Sequence, residues 1–184
     1  MKTYFPFNEQ KARALTKVLF SFRENRWCDF KKVLSVAYSI EREFMKEHGC
    51  FLIGGRHICS FEGIYNVDFF KKIISDKNFI EFFKEEPSAF GVFNMAKLKD
   101  FGEVSFDNFS DFERDIICKN EYKDMIKNLD DLDIRAIHFK YEEWLGGKIG
   151  QDICVLEVVN PDFKEKAVAY INDFEAFSLY NKNS

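Results

Sequence analysis

Two adjacent glycines, Gly54-Gly55, separate two short apolar runs, residues 50–53 and 57–61. Few pairs restrict a chain more. The favoured two-residue hairpin turn needs φ > 0 at both central positions, and glycine reaches it without strain. The pair predicts a β-hairpin over residues 50–65 that turns at Gly54-Gly55. The same stretch holds Cys50, His57 and Cys59, with His48 just before it, so two of the three histidines and two of the five cysteines gather here. Thiol, imidazole or metal chemistry is expected here first.

The cluster reads H-x-C twice, with six residues between. Zinc takes four N or S ligands in a tetrahedron, and two hairpin arms can supply them. Gly49 interrupts the first pair, however, and the C-x2-C spacing of common structural sites is missing. The expectation is two buried thiols and two incidental imidazoles, with no metal and no cofactor. A thiol nucleophile needs a neighbouring base. His57 and Cys59, two apart on one strand face, cannot turn toward each other without a bend, so His138 is the easier partner. An enzyme built on Cys59, His57 and His138 is the second functional reading.

Two weaker patterns add nothing firmer. Glu142-Glu143, Asp152 and Glu157 suggest a metal nuclease, but Val158-Val159 follow Glu157 where a lysine is needed. The glycine-rich residues 144–150 precede an expected strand, whereas a phosphate cradle precedes a helix. Trp144 and Trp27 are candidate contact anchors, since tryptophan is favoured at interface hot spots.

At 184 residues the chain reads as one α+β domain, residues 1–184, with a helical part over 1–48 and mixed strands and helices over 49–180. Twenty-three phenylalanines against 9 glycines and 3 prolines predict a ring-filled core. No apolar run reaches membrane-spanning length, no secretory signal pattern opens the chain, and the odd, scattered cysteines fit reduced thiols. These features point to the cytoplasm and away from a membrane partner.

Net charge is -4 and unevenly placed. Residues 100–133 carry 11 acids against the four bases Arg114, Lys119, Lys123 and Lys127, whereas residues 1–48 carry 10 bases against 6 acids. The balance disfavours a nucleic-acid partner.

Along the chain, Leu15, Val18, Leu19 and Phe22 make one apolar helix face after the candidate cap Asn8, with a break at Asn25-Arg26. A second helix is predicted over 29–47, its stripe running Phe30, Val33, Leu34, Ala37, Ile40 or Glu41, and Phe44, stopped by Gly49. The two should pack as a hairpin. Helix is expected over 67–74 and through Phe79–Phe83, and strands over 89–95 and 103–106. Ser110 and Glu113 form a capping-box pattern before an acidic helix. Alternation through Ile137, Phe139 and Tyr141 predicts a strand with His138 on its wetter face. Residues 152–159, apolar on both parities, predict a central strand in which Glu157 needs a partner. Asn160-Pro161 opens the last helix, with Phe163, Ala167, Tyr170, Ile171 and Phe174 on its stripe. The architecture expected is an N-terminal helical hairpin followed by a largely antiparallel mixed sheet with packed helices.

Without a catalytic motif, the leading expectation is a non-catalytic cytoplasmic protein that binds another protein. Its most concrete form is a small acidic inhibitor or immunity protein that neutralises a basic toxin such as a nuclease. The expected contact residues are Asp107, Asp111, Asp115, Glu121, Asp124, Asp130, Asp131 and Trp144, because like-signed clusters steer a basic partner at long range.

Overall fold

The first helix begins where the caps say it should. Asn8 accepts the Lys11 amide at 3.0 Å, and α1 runs Glu9–Ser21. Asp29 accepts the Lys31 amide at 2.9 Å and opens α2, Phe30–His48, which Gly49 closes with φ 61°. The two-residue strand β1, Cys28–Asp29, lies between them. The computed structural model describes residues 4–23, 27–61, 63–84, 94–99, 102–129 and 132–182. The break expected at Asn25-Arg26 lies outside them.

Helix α2 organises the interior. Val33, Leu34, Ala37, Ile40 and Phe44 join Leu15, Val18 and Leu19 of α1 in the larger core, as the two amphipathic stripes predict. Tyr38 and Met45, on another side of the same helix, enter a second core with Phe5, Cys59, Ile64, Val155 and Ile171. A helix buried on two sides has little room for polar groups. It nevertheless buries Glu41, whose partners decide the next segment.

That segment corrects the opening expectation. The hairpin exists, but β2 (His57–Cys59) pairs antiparallel with β3 (Ile64–Asn66), Cys59 opposite Ile64. The chain therefore reverses between Cys59 and Ile64, not at Gly54-Gly55, and the Ser60 amide donates to the Gly63 carbonyl at 2.7 Å. Gly54 and Gly55 do have positive φ, 65° and 96°. Their amides are committed elsewhere, however. Leu52, Ile53 and Gly54 donate to the Glu41 carboxylate at 3.0, 2.9 and 2.8 Å, and Gly55 donates to the Phe5 carbonyl. A buried carboxylate needs donors, and this glycine-bearing loop folds around it to supply them.

Asn66 caps α3 (Val67–Phe69), which continues as a π-helical turn, Phe70–Ile74, so the helix expected over 67–74 is present. Helix expected through Phe79–Phe83 is instead strand. β4 (Ile80–Lys84) pairs with β5 (Asn94–Leu98), and β5 pairs with β1, giving the antiparallel order β1-β5-β4. Of the strand expected at 89–95, residues 89–93 lie outside the described residues. The strand expected at 103–106 is irregular chain, with Val104 and Phe106 packed on the larger core.

Ser110 and Glu113 form the expected capping box at the start of α4 (Asp111–Ile117), and α5 (Asn120–Lys127) follows. Two expected strands are helical turns. Residues 135–141 fall mostly in α6 (Ile134–His138), and residues 152–159 make one bridge, Asp152 to Ile58, before α8 (Val155–Val158). Between them α7 spans Glu142–Leu145, so the glycine-rich loop follows a helical turn. In α6 the inward residues are Ile137 and His138, which places His138 in the core and not on a wet face. Glu157 is exposed and needs no internal partner. Asn160 accepts the Asp162 amide, a 3-10 turn Pro161–Phe163 leads into α9 (Lys164–Lys182), and Ala167 and Ile171 are buried while Tyr170 is exposed. The side chain of Phe174 lies outside the described residues.

The result is a mixed α+β body, mostly helical, with nine α-helices and two small antiparallel sheets among the described residues. The broad sheet expected for residues 49–180 is replaced by short helical turns packed on α2 and the hairpin. No helix among the described residues is long and apolar enough to cross a membrane.

Candidate functional site

The densest polar cluster surrounds Tyr38. Helix α2 presents Tyr38, Ser39 and Arg42, residues one turn apart, to the segment carrying α6 and α7. The Tyr38 hydroxyl donates to Glu143 Oε1 at 2.8 Å, and Arg42 Nε donates to the same oxygen at 2.6 Å. Arg42 also stacks over the Tyr141 ring at 4.3 Å, and the Tyr141 hydroxyl donates to Ser39 Oγ at 2.8 Å. Glu143 is thus pinned from two sides, with its side chain 6% exposed. Burial and the Glu143 charge push the Tyr38 hydroxyl well above its ordinary range, so it serves as a donor.

Two imidazoles flank Tyr38, His57 at 5.3 Å and His138 at 5.8 Å between ring centroids. Burial pulls each down to about 4 from the ordinary 6.5, so both are neutral near pH 7. His138 Nδ1 accepts the Ile64 amide at 3.3 Å, while its Nε2 has no hydrogen-bond partner. Asn66 Nδ2 lies 3.3 Å from His57 Nε2, and His57 Nδ1 is likewise without a partner. Beside the cluster opens a cleft of about 560 Å³ whose walls include Arg42, Lys46, Lys140, Glu143, Gly147 and Cys154. Its volume suits a small molecule, but its mixed charges favour neither an anion nor a cation.

His48, Cys50, His57 and Cys59 do not assemble. His48 packs edge-on against Phe112 at 4.6 Å, and the Cys50 thiol lies 4.0 Å from the Phe44 carbonyl. His57 lies against Tyr38, and Cys59 Sγ donates to the Glu143 carbonyl at 3.6 Å, not to an imidazole. Among the described residues no three His, Cys, Asp or Glu side chains group so as to hold a metal. Burial, with Glu143 nearby, pushes the Cys59 thiol up, so it remains a neutral S–H. The carboxylates of the nuclease pattern are separated by their partners: Glu143 is held by Tyr38 and Arg42, and Asp152 by Arg56 at 2.7 Å.

The acidic segment lies on the surface. Asp107, Asp111, Asp115, Glu121 and Asp124 are all exposed. The nearest base to Asp111 is Arg114 at 3.4 Å, and among the described residues the other four carboxylates have no ion pair. Asp130 and Asp131 lie outside the described residues. Trp144 is half-buried, its indole N–H donating to the Ser60 carbonyl at 3.0 Å. Phe139 is exposed and its ring meets the indole at 5.1 Å, and Leu145, next in sequence, is exposed as well. Trp27 is also half-buried, under the Lys97 ammonium.

Sequence reasoning missed Tyr38, Ser39, Arg42 and Tyr141 as a group, since nothing in their spacing separates them from an ordinary helix and turn. Glu41 carried a signal, being an acid on the apolar stripe of α2. No family model, curated protein or solved structure matches the chain.

Proposed function

We propose that this is a non-catalytic protein-binding protein whose docking surface is the outer face of α4 and α5. The reading rests on how the bases of this segment are used. Lys119 pairs with Glu43 on α2, Lys123 sits over the Phe22 ring at 5.8 Å, and Arg114 stacks over Phe106 at 5.2 Å. Three of the four bases are thus engaged inward or sideways. The exposed carboxylates of Asp107, Asp115, Glu121 and Asp124 have no ion pair among the described residues, and Asp111, 98% exposed, stays in water beside Arg114. Such a face raises self-repulsion in the free protein and gains from a basic partner. An inhibitor or immunity protein acting on a basic toxin is the concrete form, with the apolar rim of Trp144 as a second contact. Against the alternative enzyme at Cys59, His57 and His138 stands its buried, neutral thiol.

The test is affinity capture with the wild-type protein and a variant carrying Asp111→Lys, Asp115→Lys, Glu121→Lys and Asp124→Lys, at 50 and 500 mM salt. A basic protein should be retained by wild type at low salt, lost on the variant, and less toxic when co-expressed with wild type. A partner held equally by both proteins would place the docking surface elsewhere.

A further inference from the structure

We propose that His138 is an acid-released latch: its neutral ring accepts the Ile64 amide of β3, and a proton on that nitrogen frees the α6–α7 segment and uncovers Cys59. The Ile64 N–H donates to His138 Nδ1 at 3.3 Å. A backbone amide cannot reverse its role, so the contact requires a lone pair on Nδ1. An imidazolium carries N–H on both nitrogens, and two donors would then face each other. One side of the ring is closed by backbone. Gly63 packs against it so closely that an added Cβ would stand 2.7 Å from Nε2.

The surroundings do not compensate the new charge. From α2 the ring meets Tyr38, stacked at 5.8 Å, and from its own segment Tyr141 at 5.4 Å and Trp144 at 6.2 Å. Glu143 is the carboxylate that acts on it, and that carboxylate already holds Arg42 and the Tyr38 hydroxyl. On the β2 side stand His57, across the Tyr38 ring, and the Cys59 thiol. A second cation in this cluster meets no free anion among the described residues.

What the latch holds is specific. Trp144 Nε1 donates to Ser60, Cys59 Sγ donates to the Glu143 carbonyl, and Gly147 lies directly against the Cys59 sulfur. The α6–α7 segment, short helical turns with exposed flanks, covers the thiol as a lid, and such elements open at lower cost than a core helix. The buried ring binds a proton near pH 4, and a released ring near 6.5. Linkage then raises the open population on the order of 30-fold between pH 7.5 and 5.

The experiment labels the full-length protein with 2,2′-dithiodipyridine, which reacts with thiols in acid, and maps the labelled cysteines by peptide mass. The labelling ratio of Cys59 to Cys28, the latter buried in the larger core, should rise about 30-fold from pH 7.5 to 5. His138→Asn, whose Oδ1 stands where Nδ1 does and can accept from Ile64 at any pH, should abolish the rise. A flat ratio in wild type, an equal rise in His138→Asn, or Cys28 labelled in step with Cys59 overturns the latch. Should His138→Asn fail to fold, wild-type hydrogen exchange decides. Ile64 must lose amide protection over the same pH range while α1 keeps its own, and retained Ile64 protection refutes the proposal.

Discussion

The Glu41 carboxylate accepts the Gly54 amide at 2.8 Å across 13 residues of chain, and the same carboxylate takes the amides of Leu52 and Ile53. One helical side chain therefore shapes the loop that delivers β2. In Glu41→Gln an NH2 replaces one acceptor oxygen and faces an amide donor. The substitution is expected to cost about 2–4 kcal/mol of unfolding free energy, measured by urea titration at pH 7. A loss under about 0.5 kcal/mol would mean that the three bonds do not hold the loop.

Glycine substitutions separate close approach from mere presence in a loop. Gly63→Ala drives a methyl into the His138 ring, at a φ of 151°, and should cost about 2–3 kcal/mol. Gly146→Ala meets only the Glu142 carbonyl, at 3.4 Å, with φ at -87°, and should change stability by less than about 0.5 kcal/mol. Equal melting temperatures for the two variants would contradict this packing.

Stability should fall in acid. His57 and His138 bind protons near 6.5 when unfolded and near 4 when folded. Their contribution is complete above pH 6.5 and drains away as pH drops toward 4, on the order of 3 kcal/mol each. Glu41 works in the opposite sense. Burial pushes its carboxyl up to about 7 from 4.5, against the pull of the three amides, so its contribution grows as pH falls through that range. Two imidazoles outweigh one carboxyl, leaving a net loss of about 3 kcal/mol between pH 7 and 4. Urea titrations at unit pH steps measure it, and a stability that rose steadily toward pH 4 would refute the assignment.

Charge reversal on the acidic face should leave the fold intact. Asp115→Lys and Asp124→Lys remove exposed carboxylates without ion pairs and should hold or slightly raise the melting temperature at low salt. Asp111→Lys and Glu121→Lys sit in the first turns of α4 and α5 and should each lose about 0.5 kcal/mol through the helix dipole. Losses above about 2 kcal/mol would assign these carboxylates a structural partner.

What the sequence determined by itself was whatever is settled within one helical turn. Asn8, Ser110 with Glu113, Asn160 and Gly49 each act on amides or carbonyls a few residues away, so type and spacing suffice to place α1, the end of α2, α4 and the turn before α9. Surface charge on α4 and α5 was equally legible, because exposed carboxylates need no fitted partner. Tertiary structure decided the elements whose apolar pattern fits two periods. Ile137, Phe139 and Tyr141 alternate as a strand would and residues 152–159 are apolar on both parities, yet packing beside α2 selected helical turns that bury Ile137 with His138 and Val155 with Val158. Residues 80–84 became strand because β5, distant in sequence, offered a ladder. Gly54 and Gly55 kept the positive φ that glycine permits, yet a buried carboxylate on α2, not a cross-strand partner, drew the neighbouring amides. Backbone freedom is a local property of the residue. Where that freedom is spent depends on which distant group lacks hydrogen-bond donors once water is excluded.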